Sequence, residues 1–145
     1  MKSRTKARGI ALQVLYEIDL AGHLPSIVLE QRFTEEGIED PKQIEFSTKI
    51  VMGVYPIKEN LDAHIALHAP EWPLDQVATI DRNIIRIALW EFAVEKCTPL
   101  KVAINEAIEL SKMFGSDSTP RFVNGVLGSL AEHQTEIIIS TKKSE

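Results

Sequence analysis

The chain has 145 residues, 44% hydrophobic and 26% charged, with 7 Gly, 7 Pro and a single cysteine, Cys97. That composition excludes collagen-like, low-complexity and disordered chains, and the lone cysteine excludes an intramolecular disulfide or a CxxC site. The formal charge is −5 from 16 basic and 21 acidic residues, yet Lys2, Arg4, Lys6 and Arg8 stand in the first eight residues without an acid, which leaves −9 on the remainder. An acidic body with a compact basic arm argues against indiscriminate DNA coating and suits a local anionic contact.

Periodicity is helical along nearly the whole chain. Ala7, Ile10, Ala11, Val14, Leu15 and Ile18 share one wide stripe at about 100° per residue, predicting a first helix that ends near Gly22. A second starts near Pro25 and carries Ile27, Val28, Leu29 and Phe33 to Gly37. Asp40-Pro41 reads as an N-cap followed by Pro at the first helical position, opening a third helix through Ile44, Phe46, Ile50, Val51 and Val54. Pro56 breaks or kinks that helix before Leu61, Ile65 and Leu67.

The stretch APEWPLD (69–75) holds two prolines and marks the internal boundary. Beyond it, Val77, Ile80, Ile84, Ile85, Ile87, Leu89 and Phe92 surround a helix with apolar groups, as a central buried helix requires. Thr98-Pro99 repeats the cap-plus-proline signature before Val102, Ala103, Ala107, Ile108 and Leu110, and a last helix follows SDSTP with Phe122, Val123, Val126, Leu127 and Leu130. TEIIIST (135–141) has strand-like composition but no partner run. The reading is all-α, about six to seven helices in two small bundles. An N-terminal subdomain spans 1–68, a linker 69–75, a C-terminal subdomain 76–134 and a tail 135–145.

No apolar run reaches the ~20 residues of a membrane span, and MKSRTKARG lacks the apolar segment of a secretory signal, so a cytoplasmic protein without membrane contact is expected. His64 and His68, spaced i, i+4, could face one metal, but the HExxH glutamate is missing and Glu71 lies beyond the expected helix end, so no metal is assigned. Neither GxxxxGK[ST] nor GxGxxG is present, and no other cofactor is indicated. Asp81, Arg82, Arg86 and Glu91 on the central helix are explained by interhelical salt bridges or interface contacts more simply than by acid–base catalysis. No enzyme constellation emerges.

The basic arm carries more information. Cations in the opening turns of a helix oppose its macrodipole by about 0.3–1 kcal/mol each, a cost that points to a use for them. Lys2 and Lys6 fall beside Gln13 and Tyr16 on one solvent-facing strip, which offers cations for phosphates, an amide for base edges and an aromatic for stacking on single-stranded nucleic acid. Arg4 and Arg8 lie nearer the core edge, within reach of backbone phosphates. Phe122, next to Arg121 in the first turn of the last helix, is either a peripheral core residue or a stacking platform.

RxKARxxALQVLYEIDL (4–20), VxGV (51–54), DRNIIRIALWE (81–91), KVAINEAIELSKMFG (101–115) and RFVNGVL (121–127) occur in the order and spacing of the bacterial NusB family, which the chain resembles over nearly its whole length. The resemblance implies two helical bundles packed at an angle, no catalytic activity and no cofactor. It implies binding to NusE, a small-subunit ribosomal protein, and with it to the boxA element of nascent ribosomal RNA, in support of antitermination by RNA polymerase and of ribosome assembly. The family's RNA-binding residues map onto Lys2, Arg4, Lys6, Arg8 and Phe122, with Gln13 and Arg121 beside them. Its partner surface maps onto Tyr16 and Asp81. Ser118 stands where the family often has an acid, with Asp117 beside it. Thr5 stands where another arginine can occur, so the sparser arm implies a weaker hold on boxA. Asn105, Glu106 and Asn124 are assigned to capping and interhelical hydrogen bonds. Monomer and homodimer both stay open. The rivals are the similar RNA-binding domain of certain ribosomal-RNA methyltransferases, disfavoured because the sequence stops at Glu145, and a protein–protein scaffold with no RNA role.

Overall fold

The computed structural model describes residues 2–71 and 73–138; Met1, Trp72 and residues 139–145 lie outside the described residues. Seven α-helices and no strand are present among the described residues: α1 (Ser3–Ala21), α2 (Pro25–Glu35), α3 (Pro41–Val54), α4 (Lys58–His68), α5 (Thr79–Leu89), α6 (Leu100–Phe114) and α7 (Thr119–Glu132). The chain forms two compact units, Met1–Pro56 and Ile57–Glu145.

In the first unit α1 packs chiefly on α3 and also on α2. The stripe read from the sequence, Ala7 through Ile18, is buried, as are Val28 and Leu29 of α2 and Phe46, Ile50, Val51 and Val54 of α3. α1 stops at Gly22, whose φ of 71° places it in the left-handed region and whose N–H reaches the Ile18 carbonyl at 2.9 Å. Glycine closes a helix there without the cost a Cβ would bring. Asp40 caps α3 as its sequence predicts: Oδ1 accepts the Lys42 N–H at 2.9 Å and Pro41 takes the first helical position. The other oxygen of Asp40 accepts from Ser3 Oγ at 3.2 Å, which ties the start of α1 to the start of α3.

Pro56 interrupts the helical run with a single 3-10 turn, Tyr55–Ile57, and the division between the units falls there, not at 69–75. The reason is long-range. α4 packs on α5 and α7, with Leu61 and Ile65 buried, and Asp62 receives the Arg86 fork, Nε at 2.7 Å and Nη2 at 2.5 Å. A proline-rich stretch is a local signal, and a fork between residues 24 apart in sequence outweighs it.

α5 is the central element of the second unit, with Asn83 to Leu89 buried without interruption and α6 and α7 packed against it. It continues as a π-helical segment, Trp90–Glu95, closed by Lys96 at φ 59°. Thr98 does not cap α6. Its hydroxyl donates to Glu91 Oε1 at 2.6 Å, because a carboxylate only 1% exposed must find a donor. The charged groups of α5 therefore serve contacts within the unit: Arg82 donates to the Leu74 carbonyl, and Arg86 reaches Asn83 Oδ1 as well as Asp62. Residues 134–138 are helical and bury Ile137, so the described part of the 135–141 run of strand-like composition is helix; with no strand to pair among the described residues, a helical turn satisfies the backbone internally. The remainder of that tail lies outside the described residues. No described helix is long and apolar enough to cross a membrane.

Candidate nucleic-acid interface

The first turn of α1 has no acidic residue and no side-chain cap, so its cations add to the positive end of the helix dipole. Lys2, Arg4 and Lys6 are exposed. Arg8 is not: it is 3% exposed, and its guanidinium lies 5.3 Å from the centroid of the Phe46 ring on α3, where Arg4 also sits, at 4.4 Å. The expectation that Arg8 reaches phosphates is corrected by this packing. A guanidinium over an aromatic face gains roughly 0.5–2 kcal/mol and its alkyl stem covers apolar surface. Ser3, Arg4, Lys42, Glu45, Phe46 and Lys49 surround a hollow of about 200 Å³, so α3 extends the basic face. Lys42 and Lys49 escaped the sequence reading; the available signal was their i, i+7 spacing, which puts both on one side of α3.

Gln13 is half-buried and already engaged: Nε2 donates to the Gly9 carbonyl at 3.2 Å and Oε1 accepts from Arg32 Nη1 at 3.1 Å. Its amide holds α1 to α2 instead of facing solvent. Tyr16 is exposed, and its hydroxyl has no hydrogen-bond partner among the described residues.

The second unit gathers Asp81, Arg121 and Phe122 around an open hollow of about 470 Å³, completed by Gln76, Val77 and Ser118. Its geometry follows from Thr119, the buried first residue of α7. The Thr119 hydroxyl accepts the Ser116 N–H at 2.9 Å and donates to Asp81 Oδ1, in the first turn of α5, at 3.0 Å. Gly115 makes room for it, since a Cβ there would sit 2.5 Å from the Thr119 Cβ. Burial pushes the Asp81 carboxyl above its ordinary value of 3.8, and the Thr119 hydrogen bond partly offsets this. Arg121 is exposed and Phe122 half-buried. Ser118, the departure from the acid the family often carries there, lines the hollow without charge.

The capping role expected of Asn105 and Asn124 is not found. Both side chains are exposed with no hydrogen bond among the described residues, whereas Glu106 is half-buried and engaged. Asn124 stands three residues from Arg121, so the two share a face of α7.

Residues 5–132 match the NusB family. The chain is similar to the transcription antitermination protein NusB of Dehalococcoides mccartyi strain CBDB1, 46% identical over 130 residues that make up 90% of each chain. It is 43% identical over 135 residues to the transcription antitermination protein NusB of Roseiflexus sp. strain RS-1, covering 92% of this chain and 94% of the other. Among solved structures it is similar to the crystal structure of antitermination factors NusB and NusE in complex with dsRNA, with a TM-score of 0.83 and 26% identity, over 91% of this chain and 98% of that one.

Proposed function

Since the chain belongs to the NusB family of transcription antitermination proteins and is not an enzyme, we propose that it binds the boxA element of nascent ribosomal RNA together with NusE, within the RNA polymerase antitermination complex in the cytoplasm. The observation that carries this reading is the basic face of the first unit, Lys2, Arg4 and Lys6 flanked by Lys42 and Lys49, on an otherwise acidic chain. On the second unit Arg121 adds a fourth exposed cation to the arm's three, Phe122 offers a stacking face, and Asn124 offers an amide on the same side of α7 as Arg121. Arg8 and Gln13 hold the helix that presents the arm. Tyr16 and Asp81 face NusE.

The RNA is single-stranded in this proposal, because a base must leave its stack to lie on Phe122. The similar NusB–NusE complex contains double-stranded RNA, so the test includes a duplex of the same sequence. Labelled boxA-type RNA is titrated with and without NusE, using the wild type and the variant with Lys2, Arg4 and Lys6 all changed to Ala. Four phosphate contacts on a single strand give a slope of about −2.8 in log K against log salt, or about 50-fold weaker binding from 50 to 200 mM; the variant retains about −0.7. NusE tightens binding, and the duplex competes poorly. Wild-type affinity in the folded variant, or a flat salt response, overturns the proposal in favour of a scaffold that holds NusE alone.

A further inference from the structure

The sequence offers His64 and His68 as an i, i+4 pair without a third ligand. The fold of the second unit supplies different companions. α4 ends on His68, and α7 gives way at His133 to the helical residues 134–138, which carry Glu136. The His68 and His133 rings stack with centroids 4.5 Å apart and planes 25° apart. One ring nitrogen from each histidine and one carboxylate oxygen of Glu136 all lie within 4.8 Å of one another, the one such group of three among the described residues.

Two details favour a metal over an ordinary helix-end ion pair. His133 Nδ1 is 3.5 Å from Glu136 Oε1, close to the ~3.3 Å edge of a tetrahedron built on 2.0–2.1 Å bonds. That same nitrogen is buried and has no hydrogen-bond partner among the described residues. An i, i+3 pair alone accounts for the first detail, but not for the His68 ring brought over His133 from another helix. Behind His68, the buried His64 ring lies parallel at 6.3 Å between centroids with an interplanar angle of 4°, which backs the His68 plane.

We propose that His68, His133 and Glu136 bind one divalent transition-metal ion of the cobalt–nickel–zinc class. Two imidazoles and one carboxylate suit such ions better than Mg²⁺ or Ca²⁺, which take oxygen ligands. Three protein ligands leave a fourth position for water. Small rotations of the two half-buried rings and the exposed carboxylate bring all three atoms to bonding distance. The ion clasps the end of α4 to the turn that follows α7, and so stabilises the second unit by mass action.

The test is calorimetric titration of the untagged full chain with ZnCl₂ in a non-chelating buffer, paired with a melting curve at each metal ratio and the visible spectrum with Co²⁺. One equivalent of zinc binds, the melting temperature rises until that equivalent is reached, and Co²⁺ shows the bands of a low-coordinate site. His133→Ala, at a half-buried position, and Glu136→Gln, at an exposed one, each weaken zinc by about tenfold or more, and their metal-free melting curves are compared with that of the wild type. Cys97→Ser changes nothing. The proposal is overturned by the absence of saturable one-to-one binding, by wild-type affinity in His133→Ala and Glu136→Gln, or by loss of binding in Cys97→Ser.

Discussion

In the first unit Lys2, Arg4 and Lys6 stand on the open surface of α1, while in the second Asp81 and Arg121 border a hollow whose shape is set by the Thr119 hydroxyl and the bare Gly115. The first arrangement contributes long-range attraction that salt screens and that depends little on exact position. The second contributes shape, which depends on a few ångströms and little on salt. The buried arginines repeat the contrast: Arg8 lies over the Phe46 ring, whereas Arg86 is forked onto Asp62. A guanidinium over a ring loses part of its hydration for packing, but one locked on a carboxylate leaves an uncompensated charge if it is removed.

That difference is sharpest in Arg86→Ala, the largest effect expected in the molecule. Asp62 would be left half-buried without its fork, and Asn83 Oδ1 would lose a donor. Breaking one side of such a pair costs about 3–5 kcal/mol. The denaturant midpoint of the variant measures it. A loss under about 1 kcal/mol would show that the fork behaves like a solvent-exposed ion pair.

Much of the fold was legible because its signals are local. The α1 stripe, the stop at Gly22, the Asp40-Pro41 start and the buried α5 each depend on spacings within one element. The misread features depend on partners far along the chain. The core-edge position of Arg8 was visible on the helical wheel, but not that α3 would bring Phe46 under it. Thr98 preceded a proline as caps do, yet a buried Glu91 seven residues earlier claimed its hydroxyl. The prolines of 69–75 mark a local break, and nothing nearby announces the Arg86–Asp62 fork that ties α4 to α5. In the candidate site the cations of the arm are visible as a run in the sequence, whereas the hollow of Asp81, Arg121 and Phe122 requires the α5–α7 contact through Thr119.

Phe122→Ala tests the second half of the comparison at intermediate size. Stacking one base on an aromatic ring is worth about 1–3 kcal/mol, so boxA affinity falls roughly 5- to 150-fold. The salt slope stays at its wild-type value, unlike that of the arm variant, because no phosphate contact is lost. A melting curve separates this from the loss of the ring's packing. A variant with a reduced salt slope would mean that Phe122 orders the cations instead of taking a base, and the distinction between the two units would fail.

The smallest effect concerns Asp81, where the second unit tolerates a poorly hydrated acid. Its carboxyl is raised above 3.8 chiefly by burial. At Asp81 the folded state therefore holds its proton to higher pH than the unfolded one, and the contribution of Asp81 to stability falls as pH rises from about 3.8 through the raised value. Asp81→Asn keeps an oxygen for the Thr119 hydroxyl and has no charge to bury. Relative to the wild type, its melting temperature should improve as pH is raised from about 3 towards neutrality and level off once Asp81 is fully ionised in the wild type. The same variant binds NusE less well if Asp81 contributes its charge to the partner, so the acid costs the free protein a little stability and gains it a contact. A melting difference that does not change with pH would mean that the α5 first turn and the Thr119 bond compensate the burial completely; unchanged NusE affinity would remove Asp81 from the partner surface.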